Sequence, residues 1–227
     1  CCHSTRQPCS CMIRAVSLAP DGSLYSVHDP DGIRQLYRQA PGDPTAKAQK
    51  LTTFPDGISG YSVSDDGKWI AITAATGGSE QTSLYLMDAA SGKMEMLFGD
   101  PKMVFESPVW RRDSKALAFR ANDESSSDFY VYVYDVAGKS KKKVYGEKGS
   151  NAPADFNKDG SKLVVSKYTS ASHSQLFEVP VAGGEPREIT PKGEQWSFDA
   201  VGYDATERYF FVNTNYKGDL KGLHAIF

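Results

Sequence analysis

Carboxylates beside a glycine are the first residues here that could do chemistry. "SVSDDGKWIAITAA" (62–75) sets Asp65 and Asp66 before Gly67, and "DPDG" (29–32) has a similar form. Such a pair could hold a cation. Calcium takes about six to eight oxygen ligands, and neither stretch continues into a loop with a closing acidic residue. Both therefore read as turns. Thiolates and imidazole are zinc ligands, so Cys1, Cys2, Cys9 and Cys11 with His3 form a second candidate. Their spacing fits no zinc pattern, and no second half-site follows. No metal and no cofactor is expected.

A serine triad of the G-x-S-x-G type needs its nucleophile on a sharp strand-to-helix turn, a histidine base and an orienting acid. The sequence has no G-x-S-x-G, and the serines of "PDGISGYS" and "TGGSEQ" lack that spacing. Among His3, His28, His173 and His224, only His173, in "SASHSQ", is expected to be well exposed. No catalytic residue is assigned.

The elements that would position any site emerge from a repeat. "LAPDGSLYSV", "VSDDGKWIAI", "WRRDSKALAF", "FNKDGSKLVV" and "GYDATERYFF" place Asp21, Asp66, Asp113, Asp159 and Asp204 at intervals of 45, 47, 46 and 45 residues. Gly22, Gly67 and Gly160 follow three of them; Ser114 and Ala205 stand in the other two, predicting turns of different geometry. Gly accepts positive φ in a hairpin turn, and Asp bonds to nearby backbone N–H groups. A second apolar stretch follows each turn: "QLYRQ", "SLYLMD", "FYVYVYD", "QLFEVP" and "GLHAIF". Short strands such as "MEMLF" and "REITP" come next, and a further strand leads into the following turn. Strands rich in β-branched and aromatic residues, four to a unit of about 45 residues, describe a propeller blade. The expected fold is an all-β propeller with about four complete blades and a truncated fifth. Residues 1–15 are an irregular leader and 16–227 a partial propeller.

Bulk properties narrow the partners. The 227 residues carry a formal charge of -2, so no basic excess points to nucleic acid. The basic run 139–143, "KSKKK", is expected to decorate a hairpin turn. No apolar run reaches the roughly 18 residues of a membrane span. All cysteines lie in the first 11 residues, so no disulfide framework runs through the body. The start has neither initiator Met nor apolar signal core. A signal peptide removed earlier, or a sequence beginning inside a longer one, would account for that. Periplasmic, extracellular and cytoplasmic locations all stay open.

"SDDGKWIAITAATGGSEQTSLYLMDAASGKMEML" resembles the TolB-type, WD40-like propeller repeat. "SPVWRRDSKALAFRANDESSSDFYVYVYD" and "LFEVPVAGGEPREITPKGEQWSF" resemble the N-terminal propeller of prolyl-oligopeptidase-family serine peptidases, which include dipeptidyl and acylaminoacyl peptidases. The resemblance covers roughly residues 16–227. Because the fifth unit stops at its third strand, a fragment of a longer polypeptide is expected, with a closed five-bladed ring with an irregular last blade as the alternative. The resemblance implies that the propeller gates or positions peptides for a C-terminal α/β-hydrolase domain absent from this sequence. The alternative is a TolB-type module that binds proteins or ligands with no catalytic partner. Some family members bind a substrate amine through paired glutamates on the propeller. This sequence has no such pair, but "NDESSSD" places Asp123 and Glu124 in a polar hairpin. That pair, His173 and Tyr216 are the substrate-facing candidates. The hairpins "ATGGSEQ", "YTSASHS" and "NTNYKGD" are expected on one side of the ring. Phe105, Trp196 and Tyr216 are either contact aromatics or packing between blades.

Overall fold

A computed structural model describes residues 14–42, 46–193 and 195–226. The cysteine-rich stretch with His3 lies outside the described residues. The first blade holds β1 (Arg14–Leu18), β2 (Leu24–His28), β3 (Gln35–Gln39) and β4 (Gln49–Lys50). The second holds β5 (Gly60–Val63), β6 (Trp69–Ala74), β7 (Ser83–Asp88) and β8 (Met94–Phe98). The third holds β9 (Phe105–Trp110), β10 (Ala116–Ala121), β11 (Tyr130–Asp135) and β12 (Ser140–Tyr145). In the fourth are β13 (Ser150–Phe156), β14 (Lys162–Ser170), β15 (His173–Pro180) and β16 (Arg187–Glu188). The fifth has β17 (Phe198–Tyr203), β18 (Phe210–Thr214) and β19 (Gly222–Ile226). Each sheet is an antiparallel meander in chain order. The described residues thus form an all-β propeller of four four-stranded blades and one three-stranded blade, in a five-blade ring. Among the described residues, no helix is long and apolar enough to cross a membrane.

A blade buries both faces because it has a neighbour on either side. In β6, five of six residues are buried, where a sheet with one wet face would alternate. Four buried clusters sit at the four junctions between consecutive blades. Tyr25, Leu36, Ile70 and Ile72 join first to second; Leu84, Phe105, Phe119 and Tyr132 join second to third. Val131, Phe156 and Val165 join third to fourth, and Leu176, Phe198 and Phe210 join fourth to fifth. Among the described residues no such cluster joins fifth to first. Large apolar side chains stay exposed on those two blades instead: Val16 at 55%, Leu18 at 74%, Val201 at 57% and Leu223 at 65%.

The turn between the first two strands is nearly the same in every blade. Backbone N–H groups of Gly22, Gly67, Ser114, Gly160 and Glu207 donate to the carbonyls of Ala19, Ser64, Arg111, Asn157 and Asp204 at 2.8–3.0 Å. All five donors have left-handed φ, from 57° to 81°, a turn closed by a residue at positive φ. Ser114 adopts the conformation of the glycines, so its turn does not differ as expected. The third turn position holds Asp21, Asp66, Asp113 and Asp159. Each accepts from the backbone N–H two residues on, at 2.8–3.0 Å.

The fifth copy shifts register. Asp204 takes the first position of its turn, and the left-handed residue is Glu207, not Ala205. Asp204 Oδ1 accepts from Tyr209 N at 2.8 Å, the bond that Asn157 makes with Lys162 N and Ser64 Oγ with Trp69 N. Aligned on the left-handed residue, the intervals are 45, 47, 46 and 47 residues.

That left-handed residue also reaches the preceding blade. A Cβ on Gly67 would stand 3.2 Å from Pro20, and one on Gly160 would collide with Arg111. Where a side chain exists it bonds across: Ser114 Oγ accepts from Asp66 N at 3.0 Å, and Glu207 accepts from Lys158 N. The turn therefore closes a hairpin and couples neighbouring blades.

Candidate functional site

The meander places the hairpins between second and third strands on the side opposite these turns. That side carries 122–129, the hairpin before His173, and 215–221. Asp123 and Glu124 converge on Tyr132 of β11, whose hydroxyl lies 2.6 Å from Asp123 Oδ1 and 2.9 Å from Glu124 Oε1. Lys141 of β12 pairs with Asp123, and Lys143 pairs with Glu124 at 2.6 Å. Burial pushes the Asp123 carboxyl up, but the Lys141 and Tyr132 hydrogen bonds outweigh it and hold it below the usual carboxylate range. Burial and both carboxylates drive the Tyr132 phenol far upward. These carboxylates are matched by lysines of their own blade.

The lysine run is part of a strand. Lys139 alone sits at the turn, with φ 49°, and reaches Glu95 of the second blade. Lys141, Lys142 and Lys143 lie in β12, and Lys142 donates to the Ala182 carbonyl of the fourth blade at 2.7 Å. The run as a decorated turn is therefore corrected: its charges join three blades.

His173 and Tyr216 border neighbouring cavities near Trp196. His173, Gln175, Glu188, Thr190, Trp196 and Phe198 line a cavity of about 280 Å³. Tyr216, Phe198, Thr214, Ile189 and His224 line another of about 350 Å³. The Trp196 and Tyr216 rings stand edge to face at 5.7 Å. His173 is half-buried, and its Nδ1 is enclosed with no hydrogen-bond partner among the described residues. Among the described residues the exposed histidine is His224, which corrects the expectation for His173. Trp196 and Tyr216 pack against the fourth–fifth cluster, and Phe105 is buried between second and third blades. Thus the structure brings Asp123 and Glu124 together on Tyr132, while His173 and Tyr216 line separate cavities that share Phe198.

Sequence reasoning missed a charged mouth on the turn side. Arg112 of the third blade borders two cavities, of about 630 and 390 Å³. Asp65 of the second blade and Asp155 of the fourth flank it, with Arg112 Nη2 3.4 Å from Asp155 Oδ2. Burial pushes the Asp155 carboxyl up, against the Tyr203 N–H it accepts and the Arg112 charge. Asp65 is pushed up as well, first by desolvation, with Arg112 opposing. The second turn position holds Asp65, Arg112 and Lys158 in successive blades. Charge recurring at that one repeat position was the available signal.

Ser26 Oγ and His28 Nε2 lie 2.7 Å apart, but as same-face neighbours within β2. The nucleophile of the G-x-S-x-G type sits on a strand-to-helix turn, and this pair lacks that setting. The family description "Prolyl oligopeptidase, N-terminal beta-propeller domain" matches residues 43–226. The chain belongs to this family. A prolyl endopeptidase structure superimposes with TM-score 0.73 at 16% identity, covering 94% of this chain and 34% of that one. Prolyl oligopeptidase B from Galerina marginata gives 0.68 at 15%, covering 94% and 37%. TolB from Acinetobacter baumannii gives 0.63 at 18%, covering 96% and 55%. No curated protein matches the chain. The propeller spans about a third of the two peptidases and about half of TolB. It is a family propeller, and no catalytic domain lies within these residues.

Proposed function

We propose that this propeller gates or positions peptide substrates for an α/β-hydrolase domain of the same polypeptide, in a serine peptidase. The observation that carries the reading is the family match over residues 43–226. The substrate side is the face of the hairpins after the second strands, where a peptide would meet His173 and Trp196 at one cavity and Tyr216 at the neighbouring one. The Asp123–Glu124 hairpin lies on the same face, but Lys141 and Lys143 already neutralise it. Substrate contact there would need to displace a lysine. The reaction itself would belong to the hydrolase domain. The reading frame beyond Phe227 provides the test. A hydrolase region with G-x-S-x-G supports the proposal, and a stop codon after one or two further blades sinks it.

A second reading rests on the TolB likeness, which covers a larger share of its relative than the peptidase likenesses do. In that reading the same face binds a protein or ligand without catalysis. The stop codon that defeats the first reading is what the second expects.

A further inference from the structure

Lys141 of β12 stands over three aromatic rings. Its Nζ is 4.4 Å from the Tyr132 centroid, 5.1 Å from Phe98 and 5.8 Å from Phe105. The rings come from β11, β8 and β9, on both sides of the second–third junction. Phe119 backs them, stacked on Phe98 at 5.0 Å and on Tyr132 at 5.6 Å. Asp123 closes the remaining side, accepting from Lys141 and from the Tyr132 hydroxyl. The neighbouring Lys143 differs: it pairs with Glu124 and covers one ring, Tyr130 at 4.9 Å.

A cation among ring faces is held by the ring quadrupoles, and aromatic cages of this kind recognise quaternary ammonium groups and methylated lysines. The carboxylate adds a full charge. The Lys141 side chain is 30% exposed and Asp123 15%, while the Tyr132 and Phe105 rings are buried, so the lysine is the part of the cage open to solvent. We propose that Phe98, Phe105, Tyr132 and Asp123 form an alkylammonium site that Lys141 occupies in cis. Its external ligand is a methylated lysine side chain on a peptide, which enters when Lys141 withdraws. Acetylation of Lys141 would remove the competing charge and open the site.

Tetramethylammonium is the first probe, titrated into the unaltered chain and into Lys141→Ala and Lys141→Gln. Ring-proton shifts of Phe98 and Tyr132 report binding, and the amide spectrum checks the fold. Both variants should bind saturably and about tenfold more tightly than the unaltered chain, the scale of one partly desolvated cation–π contact. Adding Asp123→Asn or Phe98→Leu should remove most of that gain. A trimethyllysine peptide should outcompete its unmethylated form. Folded variants that bind no better than the unaltered chain overturn the proposal. A gain indifferent to Phe98→Leu does so too. A measurement on the unaltered chain stands apart from variant folding. Lys141 Hε protons should be ring-current shifted and move toward free-lysine values as tetramethylammonium rises. Protons that start at free-lysine values or do not move overturn the proposal.

Discussion

The second–third junction and the two end blades solve the same problem differently. Between the second and third blades, buried Phe105, Phe119 and Tyr132 and half-buried Phe98 pile into one stack under Lys141. On the first and fifth blades, Val16, Leu18, Val201 and Leu223 stay in contact with solvent. The strands have the same period and similar composition. The difference is whether another blade covers the second face. Blade stability is therefore a property of junctions more than of single sheets, as in other radial repeats.

The sharpest way to break this comparison is to truncate one residue in each region. Phe119→Ala removes a fully buried ring from the stack and should cost about 3–5 kcal/mol. Leu223→Ala, on the exposed face of β19, should cost under about 0.5 kcal/mol. Denaturant midpoints at constant m-value measure both. Similar costs would remove the distinction between a covered and an uncovered face.

Solution behaviour gives the next effect. Exposed apolar faces should make the chain self-associate, and Leu18→Lys with Leu223→Lys should shift sedimentation toward monomer. A sharply monomeric parent chain would mean that the ends are covered after all.

The turn lattice should show smaller effects. Gly160 has φ 70°, and a Cβ there would meet the Arg111 side chain, whereas Gly32, at φ 76°, faces open space. Alanine should cost more than about 1 kcal/mol at Gly160 and measurably less at Gly32, since only the backbone term remains. Equal costs in thermal unfolding would show that blade coupling adds nothing at this turn.

Acid should act on the same turns. Local hydrogen bonds hold the carboxyls of Asp21, Asp113 and Asp159 below their ordinary value, led at Asp113 by the Arg111 side chain. A lowered folded-state pKa gives stability above the unfolded value, near 3.9, that is lost as pH falls through the folded one. Asp155, pushed up by burial, acts the other way: its favourable contribution is present at low pH and fades as pH rises through its folded pKa. Asp113→Asn should thus weaken the loss of stability below about pH 4, and Asp155→Asn should not. Matching acid limbs for the two variants would contradict these assignments.

The repeat was legible because a turn Asp and its glycine mark each blade at nearly even spacing. The fifth copy misled by one feature. Asp204 has the right residue type at nearly the right interval, yet it caps the first turn position, as Asn157 does in the fourth blade. Only the backbone bond from Glu207 N fixes the register. Asp123 and Glu124 were found as a polar hairpin, but their neutralisation was not. Their partners, Lys141 and Lys143, come from a strand 18 and 19 residues away. Composition alone cannot pair such residues across a sheet. The Arg112 mouth was hidden for a related reason: Asp65, Arg112 and Asp155 come from three different blades. His173 looked exposed because its hairpin is small and polar; the Trp196 loop lies against it.

Hydrolysis of peptide nitroanilides tests the central claim most directly, comparing this chain with the polypeptide encoded by its complete reading frame. The chain should give no turnover above blank. The complete polypeptide should cleave, and should lose that activity when the serine of a G-x-S-x-G beyond Phe227 is replaced. Serine-dependent turnover by residues 1–227 alone, or a complete polypeptide with no hydrolase activity, would contradict the account.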